Sequence, residues 1–158
     1  MPQPSFIDLH AQQGAFLGNQ LGRLVDLIVD QGDDLLLEAG ISFRSQAAST
    51  VLLLSERDGL SIADIARELH LPHQLVAQRI DALIALDLVA KRSDVSDRRR
   101  KFLGLTDEGR REAALLSRTL KAAQGAFAEL TKEIGVDLSA AALAAIGEVA
   151  LQGFTDGA

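Results

Sequence analysis

The sequence predicts a mainly α-helical fold: two short helices joined by a tight turn, a two-stranded β-hairpin after them, and longer helices on either side. Three observations carry that prediction. Leu and Ala are abundant, while aromatics make up only 4% and Pro occurs three times. Residues 61–88 hold two short stretches of apolar residues at helical spacing, parted by Pro72. Residues 88–105 hold two strand-like runs around a polar, charged tip.

Each element follows in order. Leu17, Leu21, Leu24 and Ile28 recur at helical spacing within residues 6–39, with Ser5 as N-cap and Gly40 as stop. A second helix is expected from Arg44 to Arg57, with Ser42 near its cap and Val51, Leu52 and Leu54 facing a core. Asp58-Gly59 signals a turn. Ser61-Ile62-Ala63-Asp64 has the shape of a capping box, with Asp in place of Glu or Gln. The helix behind it carries Ile62, Ile65, Ala66 and Leu69 on one face. Pro72 restarts the chain in a helix, because its fixed φ and missing N–H suit a first turn. Spacing turns Leu75, Val76, Ile80 and Leu83 inward and leaves His73, Gln74, Ala77 and Gln78 exposed. Residues 61–88 therefore read as a helix-turn-helix. Leu88–Ala90 and Lys101–Leu105 then form the hairpin, a wing on the helix-turn-helix. Thr106 caps a long Ala- and Leu-rich helix, Gly135 interrupts it, and Asp137 or Ser139 starts the last one.

Composition removes several classes of function. The chain has 158 residues and no Cys, which excludes disulfides, zinc–thiolate sites, iron–sulfur ligation and thiol redox sensing. No apolar run approaches the ~20 residues of a membrane span. The opening MPQPSFIDLH has neither a basic nor an apolar region of the kind that signal peptides carry. A soluble, cytoplasmic protein is expected. No glycine phosphate loop, metal cluster or Ser–His–acid set points to an enzyme, and no cofactor is expected. His70 and His73, without a carboxylate cluster beside them, do not make a metal site.

The net charge is −6, yet its distribution says more. Residues 91–111 hold eight Lys and Arg against four Asp and Glu, whereas residues 1–40 hold one Arg against six acids. An acidic chain thus gathers its cations on one hairpin beside a helix-turn-helix. Phosphate binding by that face is the natural reading, because each neutralised phosphate releases condensed counterions.

The segments LSIADIAREL, HLPHQLVAQRIDALIALDLVAKR and SDVSDRRRKFLGLTDEGRR resemble the winged helix-turn-helix of MarR-type (multiple antibiotic resistance regulator) transcription factors. Asp97-Arg98-Arg99 followed by Leu105-Thr106-Asp107-Glu108-Gly109 carries the likeness most specifically. Gly40-Ile41-Ser42, Gln46 and Val51-Leu52 are similar to the family's entry to its second helix. The resemblance implies an N-terminal dimerisation helix over residues 1–40, a DNA-binding lobe over 41–110 and C-terminal dimerisation helices over 111–158. It further implies a homodimeric, sequence-specific regulator of double-stranded DNA, a ligand-responsive repressor by family habit. The helix over about 72–88 enters the major groove and presents His73, Gln74, Ala77 and Gln78. Arg99, oriented by Asp97, reaches the minor groove, where a narrow groove enhances the negative potential. Arg92, Arg98, Arg100 and Lys101 contact phosphates. The hydroxyl-rich entry common in the family is replaced by Pro72-His73-Gln74-Leu75, so the base-reading set differs.

An effector pocket in such proteins would draw here on Phe16, Phe43 and Arg44, and its small molecule is not named by the sequence. Gly14, Gly18 and Gly22 recur every four residues, a strip that suits close packing in a dimer, a cavity lining or a break in the helix. With Leu143, Ile146 and Phe154 of the final helix, they are the candidate interface. The competing reading is a winged-helix module that binds protein without specific DNA binding; it leaves the basic cluster at Arg98–Lys101 without a purpose.

Overall fold

A computed structural model describes residues 3–93 and 101–152. They fall into two units, Met1–Ser117 and Arg118–Ala158.

The first unit opens with two 3-10 turns, Ile7–Leu9 and Gln13–Phe16, and only then enters helix α1, Leu17–Glu38. The continuous helix expected from Phe6 is therefore shortened. Ser5 lies just before a single turn whose N-cap is Phe6, its amide and hydroxyl both donating to Asp8 Oδ2 at 2.8 Å. His10 then turns extended and ends it. Gly14, which costs a helix about 1 kcal/mol relative to Ala, sits in the second 3-10 turn. Helix α1 stops as expected: Gly40 adopts φ +77°, and the Ile41 N–H reaches back to the Leu36 carbonyl at 2.9 Å.

Helix α2, Ala48–Glu56, follows a 3-10 turn at Ser45–Ala47 and does not begin at Arg44. Ser42 is not its cap. That role falls to Asp33 on α1, whose Oδ1 accepts the Ser45 N–H at 2.7 Å while its Oδ2 meets Arg44 at 2.7 Å. Burial pushes the Asp33 carboxyl up, but the Ser45 and Arg44 hydrogen bonds prevail and hold it below its ordinary value.

Helix α3, Ile62–Glu68, begins in a complete capping box: Asp64 N–H donates to Ser61 Oγ and Ser61 N–H to Asp64 Oδ2. Helix α4, His73–Ala85, has Pro72 as N-cap, one position outside the first turn, with its carbonyl accepting from Val76 N–H. Val76, Ile80 and Leu83 join Ile65, Leu88 and Leu116 in the core, as the spacing predicts. Leu75 departs from the expectation, lying half-buried on the flank of α4 and away from that core.

Strands β1, Val89–Ser93, and β2, Lys101–Leu105, pair antiparallel from Val89↔Leu105 to Ser93↔Lys101. Leu60 adds a single bridge to Leu103. Thr106 caps helix α5, Asp107–Ile134, by accepting from Gly109 N–H at 3.0 Å, and donates its own hydroxyl to the Asp87 carbonyl at 2.6 Å. The hairpin and the start of α5 are thereby fixed to the end of α4.

In the second unit α5 ends at Ile134, where Gly135 takes φ +72°. Asp137, not Ser139, then caps helix α6, Leu138–Gln152, accepting from Ala140 N–H at 3.0 Å. Leu143, Ile146, Val149 and Leu151 are exposed along it. Among the described residues no single helix is long and apolar enough to cross a membrane.

Candidate nucleic-acid interface

The site is built on α4, held at its start by Pro72 and along its inner face by the core. Its exposed stripe runs through Gln74, Gln78, Asp81 and Ala85, with His73 exposed at the first turn and Ala77 half-buried. Gln74 and Gln78, one turn apart, present their amides on the same face. The turns at both ends are set by left-handed residues that are not glycine, His70 at φ +51° and Asp87 at φ +58°. His70 closes the turn between α3 and α4, and Asp87 the turn from α4 to β1.

The hairpin stands beside the stripe. Lys91 on β1 approaches Asp81 on α4, Nζ to Oδ1 at 3.6 Å. Arg92 lies over the bare backbone of Gly104, where a Cβ would come within 3.4 Å of its guanidinium carbon. Lys101 pairs with Ser93 at the backbone. Asp97, Arg98, Arg99 and Arg100 lie outside the described residues.

Most cations of this unit are already partnered. Arg23 meets Asp8, Arg44 meets Asp33, Arg57 meets Glu68, and Arg67 meets Asp64. Arg110 pairs with Asp107 and Arg111 with Glu108. Among the cations of Met1–Ser117 whose side chains are described, Arg79 and Arg92 alone have no ion pair.

A cleft of about 270 Å³ opens along one flank of α4, against the segment that leads into α2. Phe43 and Arg44 line it with Gln46, Leu75, Gln78 and Arg79. It brings together two of the three residues expected around an effector. Phe16 is elsewhere, at the start of α1, its ring 6.3 Å from that of His10. The glycine strip is likewise divided, since Gly14 precedes α1 while Gly18 and Gly22 lie within it. All three have open space where a Cβ would stand. Leu143 and Ile146 are exposed on α6, and Phe154 lies outside the described residues.

Sequence reasoning passed over Asp81, Asp33 and Arg79. Arg79 left a signal, a charged residue between Val76, Ile80 and Leu83 on the apolar side of a helix.

Residues 39–100 match the family model described as MarR family. Over that stretch the chain is similar to the MarR family. The structure of the transcriptional repressor CouR bound to a 23-mer DNA duplex is similar over 89% of this chain and 96% of that one, at 27% identity and a TM-score of 0.67. CouR from Rhodococcus jostii RHA1 bound to p-coumaroyl-CoA matches over 88% and 92%, at 25% identity and a TM-score of 0.60. The S. aureus MepR–DNA complex shares the fold, at 21% identity over 82% and 96% and a TM-score of 0.67. Among curated protein sequences none matches the chain. The MarR-family match covers α2, α3, α4 and β1, the elements that build the stripe and its flank.

Proposed function

We propose that this protein is a homodimeric, ligand-responsive transcriptional repressor of the MarR type, of the cytoplasm, that binds a near-palindromic duplex. The observation that carries the reading is the exposed Gln74–Gln78 stripe on α4, held beside the basic strand β1. A helix of this kind fits the major groove, where Gln pairs bidentately with adenine. His73 and Ala77 complete the reading face, His73 at a phosphate or base edge and Ala77 against a thymine methyl. Arg99, oriented by Asp97, enters the minor groove, and Arg92, Arg98, Arg100 and Lys101 hold phosphates. The DNA-bound CouR, similar over nearly its whole length, supports this docking.

Dimerisation is supported by the apolar residues a single chain leaves exposed, Leu17, Leu21, Val25 and Ile28 on α1, and Leu143 and Ile146 on α6. Gly14, Gly18 and Gly22 permit close approach on the N-terminal side, and Phe154 extends the C-terminal one. Two-fold symmetry then places two copies of α4 on half-sites about one helical turn, or multiples of it, apart. Phe43 and Arg44, together at the cleft beside α4, are the residues assigned to an effector, while Phe16 lies apart from them; CouR, a similar protein, was bound to p-coumaroyl-CoA. Such a ligand acts through differential affinity for DNA-competent and incompetent states.

Selection of the purified protein against a random duplex library, followed by affinity measurements across salt, tests the reading. Enrichment of an inverted repeat that weakens steeply with salt is the expected result. Weak binding without base preference would overturn it in favour of a protein-binding winged helix.

A further inference from the structure

Resting on that reading, we infer that Arg79 anchors the DNA backbone, its guanidinium taking a phosphodiester in the cleft beside the α4 stripe. Three observations on this chain converge on it. Arg79 makes no hydrogen bond or ion pair among the described residues, and its Nε is fully buried. The described cations around it, Arg92 apart, are each matched to a carboxylate, in a chain that carries an excess of acid. The cleft it lines has two side-chain amides, Gln46 and Gln78, and no carboxylate in its wall; Arg44, also there, is already paired with Asp33.

A partly buried cation without a counterion carries a desolvation cost, and burial pulls the Arg79 guanidinium below its ordinary pKa. An incoming anion relieves that cost. The flank of α4 is also where a phosphate must pass. A helix lying in the major groove has a sugar–phosphate strand along its side, and the shared residue Gln78 joins the cleft to the reading stripe. Arg supplies a planar fork that suits two phosphate oxygens. Leu75 and Leu86 line the cleft beside it.

The test compares the full-length protein with Arg79→Met, which keeps the length of the side chain and removes its charge. On the duplex selected by the wild type, the variant is expected to bind about tenfold more weakly. Its slope of log affinity against log salt should be shallower by about 0.9 per chain, one phosphate, with the order of base preferences unchanged. Its melting temperature should equal or exceed that of the wild type, which excludes misfolding as the cause. An unchanged affinity and slope would overturn the assignment while leaving the regulator reading intact, and a changed base preference would make Arg79 a base reader. A wild type that ignores duplex DNA would overturn both. Inorganic phosphate separates the sources of the anion: if it stabilises the wild type and not Arg79→Met while DNA affinity is equal, the cleft serves a free small anion and the backbone assignment falls.

Discussion

Ser42 donates twice to one oxygen of Glu112, 70 residues further along the chain, from its amide at 2.9 Å and its hydroxyl at 3.1 Å. Glu112 sits on the buried side of α5, 3% exposed, and its other oxygen lies 3.8 Å from Arg111. The segment so held leads directly to Phe43 and Arg44 in the cleft and to Ser45, whose amide is held by Asp33. Two carboxylates from two different helices therefore fix the entry to α2. Hydrogen bonds to charged groups contribute about 1.5–3 kcal/mol each, and the Ser42 donors, on an exposed residue, regain part of that from water when the carboxylate is removed. Glu112→Ala is expected to destabilise the protein by about 2–4 kcal/mol in urea unfolding, and Glu112→Gln by less, because one acceptor oxygen remains. Equal midpoints for Glu112→Ala and wild type would show that the clamp contributes nothing.

Gly109 sets a second constraint at the start of α5. A Cβ there would stand 2.0 Å from the Leu88 carbonyl oxygen, and that oxygen is already the acceptor for Thr106 N–H at 3.0 Å. The obstacle is backbone tied at both ends, so no flexible side chain can yield. Replacing Gly by Ala in a helix is worth about 1 kcal/mol in propensity. Overpacking of this kind costs about 1–3 kcal/mol, occasionally more, and the 2.0 Å approach places it at or beyond the upper end. Gly109→Ala is thus expected to lose stability on balance, with a melting temperature several degrees below wild type. A variant that melts higher would mean the α4–β1 connection moves freely, against the Thr106–Asp87 bond that holds it.

The parts of this fold that were legible in the sequence are those specified by local chemistry. The Ser61–Asp64 box, the Gly40 stop, the α3–α4 pair and the hairpin around Lys101–Leu105 each depend on residues close together in the chain. What escaped depends on partners far away. Asp33 caps the turn before α2 from 12 residues upstream, so the local sequence offered Ser42 as a cap that is in fact bound to Glu112. Both turns around α4 use left-handed His70 and Asp87, positions where glycine would have announced the stop. The reading stripe was legible from spacing alone. The isolation of Arg79 was not, because it depends on which carboxylates other elements have already claimed.

The capping box also carries a pH signature. Ser61, through its hydroxyl and its amide, and then Arg67 hold the Asp64 carboxyl down at about 2, against an ordinary 3.8. A lowered native pKa means that protons bind the unfolded chain first as pH falls. The contribution is therefore complete above about pH 4 and is lost as pH drops toward 2. Asp64→Asn should flatten the dependence of melting temperature on pH between about 4 and 2. Ser61→Ala should lower stability by about 1 kcal/mol at neutral pH, the usual worth of a helix cap. A steep acid limb that survives in Asp64→Asn would assign it to other carboxylates, Asp8 first, which Arg23 and Ser5 also hold at about 2.

Base reading and backbone anchoring should separate in a single series of variants. Gln74 and Gln78 lie exposed on α4 with no ion pair to satisfy, and their amides fit the adenine edge. Arg92 has a charge to offer and no described counterion, lying over the strand backbone at Gly104. Removing a bidentate amide costs about 1–3 kcal/mol against the preferred base and little against the others. Gln78→Ala should therefore relax preference at one position of each half-site while leaving the salt slope unchanged. Arg92→Ala should do the reverse, weakening every sequence alike and reducing the slope by about 0.9 per chain. Asp81→Asn supplies a control on the same stripe, because it removes a negative charge from the face and releases Lys91. It is expected to raise affinity for unrelated duplexes more than for the selected one. Competitive binding of the four proteins to the selected duplex and to single-base variants of it would measure all these effects. Loss of preference in Arg92→Ala, or of slope in Gln78→Ala, would exchange the roles assigned to the helix and the hairpin.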